Sequence, residues 1–135
     1  MTHENSLANA RRELAIAADA LRVARAALEL GIVRDALSRA YYAVFHGVRA
    51  LLLLDGLEPK THSGVGRLFG DQWVRVGRVP SSWMLVFTRL QAYRSASDYS
   101  YAFDIELGAG AAEVEAAAEL LAAMTAIVER ATGKE

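Results

Sequence analysis

The sequence contains no cysteine, only two prolines and no long uncharged stretch. Without cysteine, a disulfide framework and a thiolate nucleophile are both excluded. The longest run without a charged side chain is 79–88, whereas a membrane-spanning helix needs about 20 mostly apolar residues. The first residues are polar and lack the basic start and apolar stretch of a secretory signal. We therefore expect a soluble, cytoplasmic protein.

Net charge is also small, at −1 for 135 residues. A strongly basic nucleic-acid binder is not expected, because counterion release requires clustered lysine and arginine side chains. The total conceals an uneven distribution: residues 1–100 carry 13 basic and 9 acidic side chains, whereas residues 101–135 carry 2 and 7. Positive charge is thus concentrated in the first three-quarters of the chain.

Alanine and leucine dominate the composition, with 26 and 17 residues, and hydrophobic residues make up 53% of the chain. Alanine is the best helix former, and a chain of this length forms one domain with a core of its own. The sequence therefore predicts a single all-α domain over 1–135, an up-and-down antiparallel helical bundle of about five helices. The predicted helices are one of about 25 residues that ends at Gly31, then 33–54, 61–76, 83–97 and 110–130.

Apolar residues recur at helical spacing in the first and last predicted helices. In the first helix, leucines stand seven residues apart and alanines follow three positions after each of the first three, which gives a continuous seam. Small alanine side chains allow close helix packing, so the seam indicates a long bundle helix rather than an isolated coiled coil. The seam comprises Leu7, Ala10, Leu14, Ala17, Leu21, Ala24 and Leu28, and the predicted buried stripe of the last helix comprises Leu120, Leu121, Met124, Ile127 and Val128.

The second predicted helix carries two opposite stripes. At about 100° per residue its apolar side chains fall on one face, and four polar side chains gather within about 80° on the other. Two interpretations of the polar stripe remain open: it packs or faces solvent, or it lines a binding site. The apolar face comprises Leu37, Tyr41, Val44, Val48 and Leu51, and the polar stripe comprises Arg39, Tyr42, His46 and Arg49.

Three patterns bear on chemistry. The three histidines lack metal-ligand spacing, so neither a metal nor a cofactor is expected. Lys60 and His62 stand at the predicted start of the third helix, where backbone N–H groups suit a phosphate, although Thr61 or Ser63 can serve there as a simple cap. Arg94 and Asp98 stand four residues apart and form either an intrahelical ion pair or part of a site.

Three segments of the sequence, taken in their order and spacing along the chain, form a recognisable pattern. They are SRAYYAVFH at 38–46, KTHSGV at 60–65 with LFG at 68–70, and RSASDY at 94–99. Together they resemble the HEPN domain family, in particular its small stand-alone prokaryotic members, over about residues 5–130. The resemblance implies a dimerising helical bundle. It also implies a metal-independent endoribonuclease site, formed across the dimer by an arginine and a histidine four to six residues later.

The resemblance further implies partners. Many stand-alone members are toxins encoded beside a minimal nucleotidyltransferase antitoxin, whereas others are non-catalytic modules that bind a nucleotide or a partner. We therefore expect a homodimer that is the toxin-like component of such a pair, with RNA as its target. The alternative is a non-catalytic module that binds a nucleotide or the nucleotidyltransferase.

Carried over residue by residue, Arg94 matches the motif arginine, which would hold the scissile phosphate. Tyr99 stands at the histidine position, and a phenol with a pKa near 10 is ionised in only about one molecule in a thousand at pH 7. Proton transfer would then require a strongly perturbed Tyr99, or His46 or His62 in its place. Asp98 could accept a proton or orient Arg94.

Tyr101 occupies the position of a tyrosine that the partner nucleotidyltransferase adenylylates in the toxin branch, so the resemblance implies Tyr101 as a modification target. On an ideal helix Tyr101 would lie about 20° from Arg94, and Tyr99 about 140° from it. The candidate binding residues that would accompany Arg94 are Arg39, Tyr42, His46, Lys60 and His62.

Overall fold

The computed structural model describes residues 2–99 and 104–133, without the side chains of residues 97–99. Within these residues the regular elements are all helical, so the predicted all-α bundle is confirmed. None of the described helices combines the length and the hydropathy needed to cross a bilayer. The elements are α1 (His3–Glu29), α2 (Val33–Leu54), α3 (His62–Phe69), a π-helical segment (Gly70–Val74), α4 (Ser82–Tyr99) and α5 (Leu107–Ala131).

A tight turn at Gly31 connects α1 to α2. The φ angle of Gly31 is +78°, in the left-handed region that glycine adopts without the steric penalty of a Cβ. Two backbone hydrogen bonds close the end of α1: Gly31 N donates to Leu28 O at 2.9 Å, and Ile32 N donates to Ala27 O at 2.8 Å. The turn reverses the chain, so α2 runs back along α1.

The predicted seam of α1 faces the interior of the bundle. Its three alanines are fully buried, which allows α1 to pack closely along α2. The leucines at the edges of the seam cover the core only in part. Buried seam residues are Ala10, Leu14, Ala17 and Ala24, and half-buried ones are Leu7, Leu21 and Leu28.

Helix α2 lies at the centre of the bundle and packs against the four other α-helices of the described chain. A Cβ at Gly47 would lie 2.6 Å from Met124 Sδ and 3.3 Å from Leu121 Cδ1, which shows how closely α5 approaches the α2 backbone. The polar stripe on the other face of α2 is half-buried, so its side chains need partners. The predicted apolar face is fully buried, as Leu37, Tyr41, Val44, Val48 and Leu51.

The structure divides the predicted helix at 61–76. Helix α3 is followed by the π-helical segment, and Phe69 and Trp73, which stand four residues apart, are both buried. Arg78 fixes this arrangement, because its guanidinium lies 3.5 Å from the centre of the Trp73 ring and makes hydrogen bonds of 2.8 and 3.1 Å to the Asp55 carboxylate. Arg78 thereby connects Trp73 to Asp55, the residue that follows α2.

Helices α4 and α5 complete the bundle. Helix α4 extends slightly beyond the predicted 83–97, and α5 begins three residues before the predicted 110. An ion pair joins the two helices, with Arg89 Nε 2.9 Å from Glu113 Oε1. The predicted stripe of α5 is confirmed, with Leu120, Leu121, Met124 and Val128 buried and Ile127 half-buried.

Candidate functional site

Arg94 of α4 and Tyr42 of α2, which are both half-buried, meet where the two helices pack together. Arg94 Nη2 donates a hydrogen bond of 2.9 Å to the Tyr42 hydroxyl. The guanidinium carbon lies 5.4 Å from the centre of the Tyr42 ring and 5.9 Å from that of the Tyr41 ring. These distances allow cation–π attraction to both rings. Two segments that are 52 residues apart in the sequence are thus joined at one point.

His62, the first residue of α3, belongs to the same cluster. Its ring stacks on Phe45, with ring centres 4.3 Å apart, and its Nδ1 lies 3.4 Å from the Tyr41 hydroxyl. Partial burial of the ring lowers the pKa of His62, and the positive charges of Arg94, His46 and Arg49 lower it further. The environment therefore favours the neutral form of His62, which can accept a proton or a hydrogen bond.

Glu13 of α1 connects two members of the polar stripe. One carboxylate oxygen lies 2.7 Å from His46 Nδ1, and the other accepts a hydrogen bond of 3.2 Å from Arg49 Nε. Burial raises the pKa of Glu13, but the hydrogen bond from His46 and the charge of Arg49 outweigh it, so the pKa lies below its ordinary value. In the described part of the chain, no three acidic, histidine or cysteine side chains cluster in a way that could hold a metal ion.

An open groove of about 400 Å³ runs between α1 and α2. The α2 side of the groove is polar, and the guanidinium of Arg39 lies 4.9 Å from the centre of the Tyr42 ring. The α1 side is partly apolar, because Ile16 and Val23 are 47% and 52% exposed. The lining residues are Ile16, Asp19, Ala20 and Val23 from α1, and Arg39, Tyr42 and His46 from α2.

The other predicted site residues are placed differently. Lys60 is exposed and contacts no polar group of the described residues. Thr61 caps α3 by accepting a hydrogen bond of 3.0 Å from Gly64 N, as the capping interpretation predicts. Asp98 and Tyr99 belong to the last turn of α4, but their side chains lie outside the described part of the structure, as does Tyr101 entirely.

Comparison with known proteins assigns this bundle to a family. A family model of the HEPN domain matches residues 10–134. The chain belongs to the HEPN family. The three sequence segments that resemble the family therefore come from a true member. They lie on α2, at α3 and on α4, and the packing of these helices brings them together.

Individual relatives match the HEPN chain over shorter stretches. A Methanocaldococcus jannaschii protein named "Putative toxin" is 39% identical over 85 residues, which is 63% of each chain. A UPF0332 protein of Pyrococcus horikoshii is 47% identical over 66 residues, 49% of this chain and 46% of the relative. A second M. jannaschii protein with the name "Putative toxin" is 32% identical over 71 residues, 53% of this chain and 48% of the relative. The chain thus spans about half to 63% of the length of these relatives.

Glu13 is the site residue of this HEPN domain that sequence reasoning missed. A signal was present, because Glu13 stands three residues after Ala10 and four before Ala17, at the edge of the buried seam of α1. A carboxylate on a packed face requires a partner. The opposite polar stripe of α2 supplies that partner through His46 and Arg49.

Proposed function

We propose that this HEPN protein is the toxin-like component of a toxin–antitoxin pair and cleaves RNA as a metal-independent endoribonuclease. The convergence of Arg94, Tyr42 and His62 from three helices carries the proposal. The names of the two M. jannaschii relatives support its toxin part. As the antitoxin we propose a minimal nucleotidyltransferase, and as the active form a homodimer.

The chemistry of the cluster suits a phosphodiester. Arginine presents five N–H donors in a planar fork, so Arg94 can bind phosphate oxygens while Nη2 keeps its contact with Tyr42. Its partial burial strengthens the electrostatic stabilisation of charge that develops on the phosphate. Neutral His62 and the groove residue His46 supply imidazoles for proton transfer without a metal ion. Arg39 adds a second cation on the Tyr42 ring.

The test is expression of the chain alone in bacteria, with growth and cellular RNA integrity as readouts. The wild type should slow growth and fragment RNA, whereas Arg94→Ala should remove both effects, since loss of one group that stabilises the transition state costs about 10²- to 10³-fold in rate. The control is Arg75→Ala, which removes an exposed arginine at the end of the π-helical segment. Normal growth and intact RNA for the wild type would reject the proposal.

The alternative is a non-catalytic module that binds a nucleotide or the nucleotidyltransferase. The tyrosine at position 99, where the family motif has a histidine, favours it. In that case calorimetry should detect ATP binding that Arg94→Ala weakens by tenfold or more, and RNA should remain intact. Absence of both nucleotide binding and binding of a co-expressed nucleotidyltransferase would reject the alternative.

A further inference from the structure

The Glu13 carboxylate lies mostly buried between α1 and α2, where it pairs with His46 and Arg49. Its side chain is 14% exposed, and those of His46 and Arg49 are 23% and 22% exposed. The distance of 2.7 Å to His46 Nδ1 is in the range of short charge-assisted hydrogen bonds. Arg49 holds the second oxygen at 3.2 Å and also donates to the Pro59 carbonyl at 3.4 Å. The carboxylate is therefore held from two sides.

This geometry determines which nitrogen of His46 carries the proton. An ionised carboxylate only accepts hydrogen bonds, so a neutral His46 must donate from Nδ1 and leave a lone pair on Nε2. Glu13 is the only hydrogen-bond partner of the His46 ring among the side chains that the structure describes. Nε2 is thus available as an acceptor.

His46 also lies where an acceptor would be useful. It lines the groove between α1 and α2 together with Tyr42, whereas Glu13 does not line it. Tyr42 stands one helical turn from His46 and accepts the hydrogen bond from Arg94. The arginine to which the proposed function assigns the phosphate and an imidazole acceptor therefore flank the same tyrosine.

We propose that Glu13 is a positioning residue that holds His46 as a proton acceptor at Nε2, facing the groove. The inference rests on the proposed function for its substrate, a single-stranded RNA. In this role His46 replaces the histidine that the family motif would have at position 99. The carboxylate acts on the imidazole alone and does not touch the RNA.

The step that follows is a transesterification. His46 Nε2 takes the proton of a ribose 2′-hydroxyl, and the 2′-oxygen forms a bond to the neighbouring phosphorus. The bond from phosphorus to the 5′-oxygen breaks, and the departing oxygen takes a proton from water. The hydroxide left behind is neutralised by the proton that His46 then releases. The products are a 2′,3′-cyclic phosphate and a 5′-hydroxyl.

The isosteric variant Glu13→Gln tests the positioning directly. Arg49 only donates, so the amide oxygen should turn to Arg49 and the amide NH₂ to His46 Nδ1, which moves the imidazole proton to Nε2. Long-range ¹H–¹⁵N NMR at about pH 8 on histidine-labelled protein distinguishes the two neutral tautomers of His46. We expect the Nδ1–H tautomer of His46 in the wild type and the Nε2–H tautomer in Glu13→Gln.

The matched control is Glu113→Gln. Glu113 is 13% exposed and pairs with Arg89, so it resembles Glu13 in burial and in having an arginine partner but lies between α4 and α5. This variant should leave the His46 tautomer unchanged. A mixed tautomer in the wild type, or the same tautomer in the wild type and Glu13→Gln, would overturn the inference.

Cleavage of a single-stranded RNA oligonucleotide gives the second readout. Glu13→Gln and His46→Ala should both lower kcat by about 10²- to 10⁴-fold, the usual contribution of a general base, with KM changed only a few-fold. Cleavage by the wild type at a rate that neither variant alters would overturn the role of His46 while leaving the proposed function intact. No cleavage by the wild type would reject the proposed function, and the tautomer alone would then decide whether Glu13 positions His46.

Discussion

Replacing Glu13 by glutamine should destabilise the fold in a way that depends on pH. The variant replaces an ion pair with Arg49 and a hydrogen bond with His46 by neutral contacts. Breaking a fully buried pair costs about 3–5 kcal/mol. The three side chains remain 14–23% exposed, so we expect a smaller loss of about 2 kcal/mol in the free energy of unfolding at pH 7. For a chain of this length that corresponds to a decrease in Tm of roughly 6–10 °C.

The pH dependence has a definite sign. The pKa of Glu13 is lower in the folded than in the unfolded state, so its contribution is complete above the unfolded value near 4.3 and is lost as the pH falls through the folded value. The difference in stability between the wild type and Glu13→Gln should therefore be largest above about pH 5 and should narrow toward pH 3.

Urea unfolding followed by far-UV circular dichroism at several pH values measures this difference. The comparison variant is Glu115→Gln, because the pair of Glu115 with Arg25 has a distance of 3.7 Å and both side chains are more than half exposed. Such a pair contributes at most about 1 kcal/mol. Equal losses in the two variants, or a difference for Glu13→Gln that does not vary with pH, would refute the reasoning.

Three further predictions concern other parts of the molecule. Tyr42→Phe removes the acceptor of the Arg94 hydrogen bond and should weaken binding of an RNA oligonucleotide several-fold in fluorescence anisotropy. Unchanged affinity would show that the Tyr42 hydroxyl does not contribute to the site. Gly31→Ala forces a Cβ into a φ of +78° and should lower the free energy of unfolding by about 1 kcal/mol or more in urea titrations, and a stabilised variant would contradict the account of the turn. Co-expression with a cognate nucleotidyltransferase should increase the intact mass of the wild type but not of Tyr101→Phe, and an equal mass increase in both would place the modification elsewhere.

Local sequence signals predicted the long helices well. Apolar periodicity predicts the bounds 33–54 of α2, and a single glycine predicts the turn at Gly31. Both signals lie within a short segment of the sequence. The π-helical segment could not be predicted in this way. No local pattern in residues 70–74 distinguishes it from an α-helix, and the contacts that Trp73 makes with Arg78 form only in the assembled bundle.

The sequence predicted the polar stripe of α2, but not the contacts that join this stripe to α1 and α4. Helical spacing grouped Tyr42 and His46, yet it could not show that Arg94 reaches Tyr42 or that Glu13 holds His46. Both contacts join residues more than 30 positions apart, and helix packing rather than local pattern brings them together. The apolar periodicity of α1 likewise does not show that Glu13, at the edge of the seam, pairs with His46 and Arg49 of α2.

Metal-independent cleavage of RNA is the central claim, and one assay on purified protein tests it. A single-stranded RNA oligonucleotide and its 2′-deoxy counterpart are incubated with wild type and Arg94→Ala in excess EDTA, and the products are identified by mass spectrometry. The account predicts that the wild type cleaves only the RNA, leaving a 2′,3′-cyclic phosphate, and that Arg94→Ala cleaves at least 100-fold more slowly, in line with the loss of one charge-stabilising group. Intact RNA with the wild type, or equal cleavage by Arg94→Ala, would contradict it.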